Sequence, residues 1–164
     1  MKILILGASY GSLLSTKLLM AGHDVTLICR SKSAALINEE GTEVRIKLRD
    51  EDSHRAFRSH DLAGTLDAVT PADARPEDYD MISLAMQEPQ YSEPQVRDLM
   101  QRIAASRKPC LSIMNMPPLP FLRRIDALAK APLEMCYDDA SVWADFEPGL
   151  MSLCSPDPQA FRPP

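Results

Sequence analysis

Lys2-Ile-Leu-Ile-Leu6, Gly7-Ala-Ser-Tyr-Gly11, Ser12 to Ala21, Gly22-His-Asp24 and Val25-Thr-Leu-Ile-Cys29 follow one another directly at the start of the chain. The first run is apolar from Ile3 to Leu6 and stops at a glycine. With its β-branched members, it reads as a short strand buried on both faces, as in a parallel sheet. In Ser12 to Ala21, Leu13, Leu14, Leu18 and Leu19 recur at helical spacing, and Gly22 supplies the stop. Val25 to Cys29 repeats the buried-strand pattern and ends at Arg30. A strand, a glycine turn, a helix and a second strand within about thirty residues make the first half of a doubly wound fold.

Further along, Lys32 to Glu40 reads as a short helix stopped by Gly41. Val44, Ile46 and Leu48 alternate with Arg45, Lys47 and Arg49, the period-two pattern of a strand with one wet face. The polar stretch 50–60 is expected to hold the turn and its return strand. Ala68-Val69-Thr70, Met81 to Ala85 and Cys110 to Met114 read as further strands, with Leu133 to Cys136 and Leu150 to Cys154 as final ones. Val96, Leu99, Met100 and Ile103 mark a helix over 94–105, and Leu119 to Leu128 reads as another behind two prolines. The expectation is an α/β protein with a doubly wound, mostly parallel sheet of Rossmann type in three layers. Residues 1–154 would form the dinucleotide-binding domain, and 155–164 a Pro-rich linker toward a missing helical domain.

Composition agrees with one soluble domain: 164 residues, 45% hydrophobic and 25% charged. Eighteen Lys and Arg against 23 Asp and Glu leave −5, which argues against a nucleic-acid partner. No apolar run is long enough to span a bilayer and the N-terminus lacks a signal-peptide pattern, so no membrane partner and a cytoplasmic location are expected. The four cysteines and three histidines have no ligand spacing, so no metal site is expected.

In open α/β sheets, ligands bind beyond the carboxyl ends of the strands. Gly7, Ala8, Ser9, Tyr10, Gly11 and Ser12 therefore form the candidate phosphate cradle, where a helix N-terminus offers its amides to a pyrophosphate. The turn departs from G-x-G-x-x-G: it is one residue shorter between its outer glycines and has Ser9 at the middle position. Arg30, with Lys32 close behind, stands where NAD enzymes place a carboxylate for the ribose 2′-hydroxyl. A guanidinium there suits the 2′-phosphate of NADP instead.

Lys2-Ile-Leu-Ile-Leu-Gly-Ala8, Gly11-Ser-Leu-Leu14, Ala21-Gly-His-Asp-Val-Thr-Leu27 and Arg30 together resemble the N-terminal domain of ketopantoate reductases. These belong with opine dehydrogenases to the 6-phosphogluconate-dehydrogenase-like group. Asp80-Met-Ile-Ser-Leu-Ala85 and Ser112-Ile-Met-Asn115 resemble the family's fourth and fifth strands, so the resemblance covers about residues 1–128. It implies that Asn115 positions substrate or cofactor, and Met86, Met114 and Met116 stand where they would line a nicotinamide or substrate pocket. Met86, Met114 and Met116 fit core packing equally well. Two positions differ from the family pattern: Gln87 stands where a lysine is usual, and Met116-Pro117-Pro118 follows Asn115 where glycine is usual. Gln87 can hydrogen-bond substrate but cannot act as a general acid. Glu88 is the titratable side chain beside these strand ends.

The resulting expectation is an NADP(H)-binding domain of a ketopantoate-reductase-like oxidoreductase acting on a small 2-keto acid type substrate, truncated before its catalytic second domain. The rival readings are a dinucleotide-binding sensor without chemistry and a domain serving only in assembly. An incomplete active site makes a homodimer an additional expectation.

Overall fold

The computed structural model describes residues 1–47, 52–114 and 116–154. In chain order the regular elements are β1 (Lys2–Leu6), α1 (Ala8–Met20), β2 (Asp24–Ile28), α2 (Ser31–Glu40), β3 (Glu43–Lys47), β4 (His54–Arg58), β5 (Leu66–Val69), β6 (Met81–Leu84), α3 (Pro94–Ser106), β7 (Cys110–Ser112), α4 (Leu119–Leu122) and β8 (Met151–Leu153). Six strands form one sheet in the order β5-β2-β1-β6-β7-β8, with every pairing parallel. Ile3 lies opposite Val25 on one side and Met81 on the other. The chain builds outward from β1 to β2 and β5, then returns to β1's other side for β6, β7 and β8.

Alternation along β1 explains the three layers. Successive strand side chains point to opposite faces. Ile3 and Ile5 enter one core with Leu19 of α1 and Ala34 of α2. Leu4 and Leu6 enter the other with Val96, Leu99, Met100 and Ile103 of α3 and with Tyr137, Val142 and Trp143. Ile3, Leu4, Ile5 and Leu6 are each at most 1% exposed, and each contributes about 1.5–3 kcal/mol by leaving water. The doubly wound Rossmann-type sheet expected from the sequence is thus the observed one.

The wet strand near residue 44 pairs antiparallel with its return strand, Val44 opposite Phe57, as a separate two-stranded hairpin. Beyond it, β5 is an edge strand whose open side is covered by α2. The Asn38 amide donates to the Ala68 carbonyl and accepts from the Ala68 N–H, both at 2.8 Å. At the opposite edge, the Arg124 guanidinium donates to the Met151 carbonyl at 2.9 Å. No helix among the described residues is long and apolar enough to cross a membrane.

Three expectations need correction. The first helix starts at Ala8 rather than Ser12, because Gly7 at φ +104° turns the chain within one residue. The expected helix 119–128 is α-helical only over Leu119–Leu122. The Arg123 guanidinium bends the following chain back by donating to the carbonyls of Ala129 and Ala131. Leu133–Cys136 is a 3-10 turn, not a strand; Met135 is 79% exposed, so this apolar stretch has no sheet face to join. Leu48 of the expected wet strand and the tail from Ser155 lie outside the described residues.

Candidate active site at the carboxyl edge of the sheet

The strand order reverses between β1 and β6. The loops leaving these two strands diverge to opposite faces, and ligands of open α/β sheets bind in the resulting crevice. Gly7 ends β1 and donates its N–H to the Ile28 carbonyl at 3.2 Å. The helical ladder begins with Gly11 N–H bonding to the Gly7 carbonyl at 3.0 Å. The N–H groups of Ala8, Ser9 and Tyr10 precede that ladder, and none has an acceptor among the described residues. Three unpartnered amides at the positive end of a helix are donors suited to an anion.

Two glycines fit this turn tightly. A Cβ on Gly7 would lie 2.7 Å from both the Ala85 carbonyl oxygen and Met86 Cγ, so the loop after β6 presses directly on the turn. A Cβ on Gly11 would lie 2.7 Å from Ile5 Cγ2, so this glycine lets α1 pack closely on β1. Ser12 is occupied locally: its hydroxyl donates to the Ser9 carbonyl at 2.8 Å, and its own carbonyl accepts from Thr16 at 2.9 Å.

Arg30 is the N-cap of α2 and, like Lys32, is exposed. Neither side chain has a hydrogen-bond or ion-pair partner among the described residues. Both cations therefore stand free at the β2 side of the crevice, and no hydrogen bond among the described residues crosses that side.

Across the crevice, Ala85 N–H donates to the Leu6 carbonyl at 2.9 Å, extending the sheet by one rung. Met86 N–H then donates to the hydroxyl of Tyr91 at 3.2 Å. Tyr91 is fully buried, and burial holds its phenol well above the usual tyrosine range. Gln87 N–H donates to the Gln90 side-chain oxygen at 3.0 Å. The Gln87 amide reaches back over the crevice and donates to the Tyr10 hydroxyl at 3.0 Å.

The methionines divide between roles. Met114 is buried in the core, Met116 packs against it, and half-buried Met86 also abuts Gly7. Asn115 lies outside the described residues. Two residues further along the chain, the Pro117 carbonyl accepts from the Tyr137 hydroxyl at 2.5 Å, and burial pushes that phenol up to about 12. Glu88 turns toward this segment, accepting from Asp138 N–H at 3.4 Å, while its other oxygen is buried without a partner among the described residues. No group of three His, Cys, Asp or Glu among the described residues could hold a metal ion.

The structure thus gathers Gly7 to Ser12, Met86 and Gln87 at one crevice, with Arg30 and Lys32 at its β2 side. Sequence reading does not reach the Tyr10–Gln87 contact or the support from Tyr91. Their only sequence signal is an aromatic residue in each loop, which by itself says nothing of pairing.

A family model described as ketopantoate reductase PanE/ApbA matches residues 3–115, more than half of the chain. None of the curated proteins matches the sequence. Three similar solved structures carry provisional names. One, a ketopantoate reductase from Ralstonia solanacearum MolK2, is 18% identical with a TM-score of 0.65, over 93% of this chain and 44% of that one. A 2-dehydropantoate 2-reductase from Bacillus subtilis is 25% identical with a TM-score of 0.49, over 80% and 38%. A 2-dehydropantoate 2-reductase from Enterococcus faecalis is 16% identical with a TM-score of 0.46, over 94% and 57%. The first shares the fold, and this chain spans less than half of its length.

Proposed function

Because this chain belongs to the ketopantoate reductase PanE/ApbA family, we propose that it binds NADP(H) in the β1–β6 crevice for hydride transfer to a small 2-keto acid. The carrying observation is the set of unpartnered Ala8, Ser9 and Tyr10 amides opening where the strand order reverses. These residues fit a dinucleotide: the amides suit its pyrophosphate, and Gly11 keeps the helix start close to the strand. Arg30, with Lys32 beside it, would neutralise a 2′-phosphate. When bound, the reduced nicotinamide supplies the hydride.

Met86 would border the nicotinamide, while Gln87 and Asn115 would orient a carbonyl oxygen. An amide has no proton to give to the developing alkoxide, so the general acid is a group other than Gln87 or Asn115. It treats residues 1–154 as one cofactor-binding unit, since Met151–Leu153 belongs to the same sheet as Lys2–Leu6. The engagement of Gln87 with Tyr10 also supports a second reading, a dinucleotide-responsive module without turnover.

Calorimetric titration with NADPH and NADH tests the cofactor assignment. Arg30→Glu is expected to weaken NADPH by about 1–3 kcal/mol, the scale of a lost charge-assisted contact, and to spare NADH. Unchanged NADPH affinity would remove Arg30 from its role, and absence of binding by either nucleotide would remove the reading.

A further inference from the structure

We infer that Tyr10 and Gln87 form a side-chain latch across the crevice, leaving its adenosine side open and parting only when the nicotinamide side is occupied. The inference rests on the cofactor reading above and concerns how that site admits its ligand. The two residues stand 77 apart in sequence, and the Gln87 amide donates to the Tyr10 hydroxyl at 3.0 Å. The bond joins the first turn of α1 to the loop after β6, the two segments between which a dinucleotide must pass.

This contact is not part of a core. Tyr10 is 57% exposed and Gln87 is exposed as well. Water can replace either partner, so the bond is weak enough to open. The backbone on both sides is held independently of it. Tyr10 belongs to a helix, Met86 N–H is fixed by buried Tyr91, and Gln87 N–H is fixed by Gln90. Opening therefore requires only side-chain rotation. Below the bond, the Ala85 carbonyl and Met86 Cγ lie against Gly7, so a ligand has no deeper route between the loops.

The β2 side differs. From the Ala8–Tyr10 amides toward Arg30 and Lys32, no hydrogen bond among the described residues crosses the crevice. A ligand made only of adenosine and its phosphates lies on that side and leaves the latch closed. A full dinucleotide continues from the pyrophosphate toward the ends of β6 and β7, and it must displace the Gln87 amide from the Tyr10 hydroxyl.

The test is calorimetric titration of the 164-residue chain with 2′,5′-ADP and NADPH, comparing wild type, Tyr10→Phe and Gln87→Ala. Tyr10→Phe deletes only the accepting hydroxyl and keeps the ring. Both variants are expected to bind NADPH about three- to tenfold more tightly, the scale of one neutral hydrogen bond, with 2′,5′-ADP affinity unchanged. Unchanged or weaker NADPH binding, a gain in one variant alone, or an equal gain for 2′,5′-ADP would overturn the latch while leaving the cofactor reading in place. Failure of wild type to bind NADPH would overturn that reading, and the latch with it, whereas NADPH binding without 2′,5′-ADP binding would overturn the open adenosine side and so the latch alone.

Discussion

Gly7→Ala tests the physical basis of the turn. The native backbone there has φ +104° and ψ 104°, outside the regions an L-residue favours, and holding alanine in such a conformation costs about 1–3 kcal/mol. The added methyl would also lie 2.7 Å from the Ala85 carbonyl oxygen and from Met86 Cγ. The methionine can rotate, but the carbonyl belongs to backbone whose N–H is already bonded to Leu6. Overpacking of this kind costs about 1–3 kcal/mol more, giving roughly 2–5 kcal/mol, since a shift of the loop relieves both terms together. Gly22→Ala is the control: its φ is +78°, and a methyl there meets nothing within 4 Å, so only backbone strain of about 1–2 kcal/mol remains. Urea unfolding followed by Trp143 emission measures both. This single tryptophan is 2% exposed and packs on Tyr91 and Phe146, with ring centroids at 5.5 and 5.8 Å. Gly7→Ala should lower the midpoint further than Gly22→Ala at unchanged slope. Equal losses would show that the contact between the two loops contributes nothing, and the tight-turn argument would fail.

Other outcomes follow from individual contacts. Tyr91→Phe removes the acceptor of Met86 N–H and should cost about 1 kcal/mol, with faster hydrogen exchange at the Met86 amide; unchanged exchange would count against the support role. The Asp139 carboxyl is held below the usual carboxylate range, first by the Ser141 hydroxyl and then by the Arg97 guanidinium. Its contribution is present above the unfolded value near about 3.9 and is lost as pH falls through the lower folded value. Wild type should therefore lose more stability than Asp139→Asn on acidification below about pH 4, and parallel acid limbs in chemical denaturation would refute this. Burial pushes the Cys110 thiol up to about 12 and raises Cys29. Brief alkylation of native protein at pH near 8 should modify exposed Cys136 and spare Cys110, and mass-spectrometric labelling of Cys110 would contradict its burial.

Much of the fold was legible because β1, α1 and β2 obey simple periods bounded by glycine. Sheet membership also followed from short apolar runs at Val25, Met81 and Cys110. Helix starts were less legible. Ala8, Ser9 and Tyr10 carry no apolar period, and their helicity is set by the backbone of Gly7. After residue 119 apolar runs misled, since Arg123 captures carbonyls at Ala129 and Ala131 and leaves Met135 in solvent. At the candidate site, the positions dictated by backbone chemistry, Gly7 and Gly11, could be found by eye. The pairing of Tyr10 with Gln87 could not be found, because only the sheet's crossover brings those loops together.

Asn38 has a consequence for association. By exchanging two hydrogen bonds with the Ala68 peptide, one amide side chain impersonates a neighbouring strand at that point of the rim and removes a donor and an acceptor that another polypeptide would need there. Arg124 stoppers the far rim at Met151. Copies of this chain that meet in solution would therefore find one outward-facing peptide at each end of the sheet already engaged.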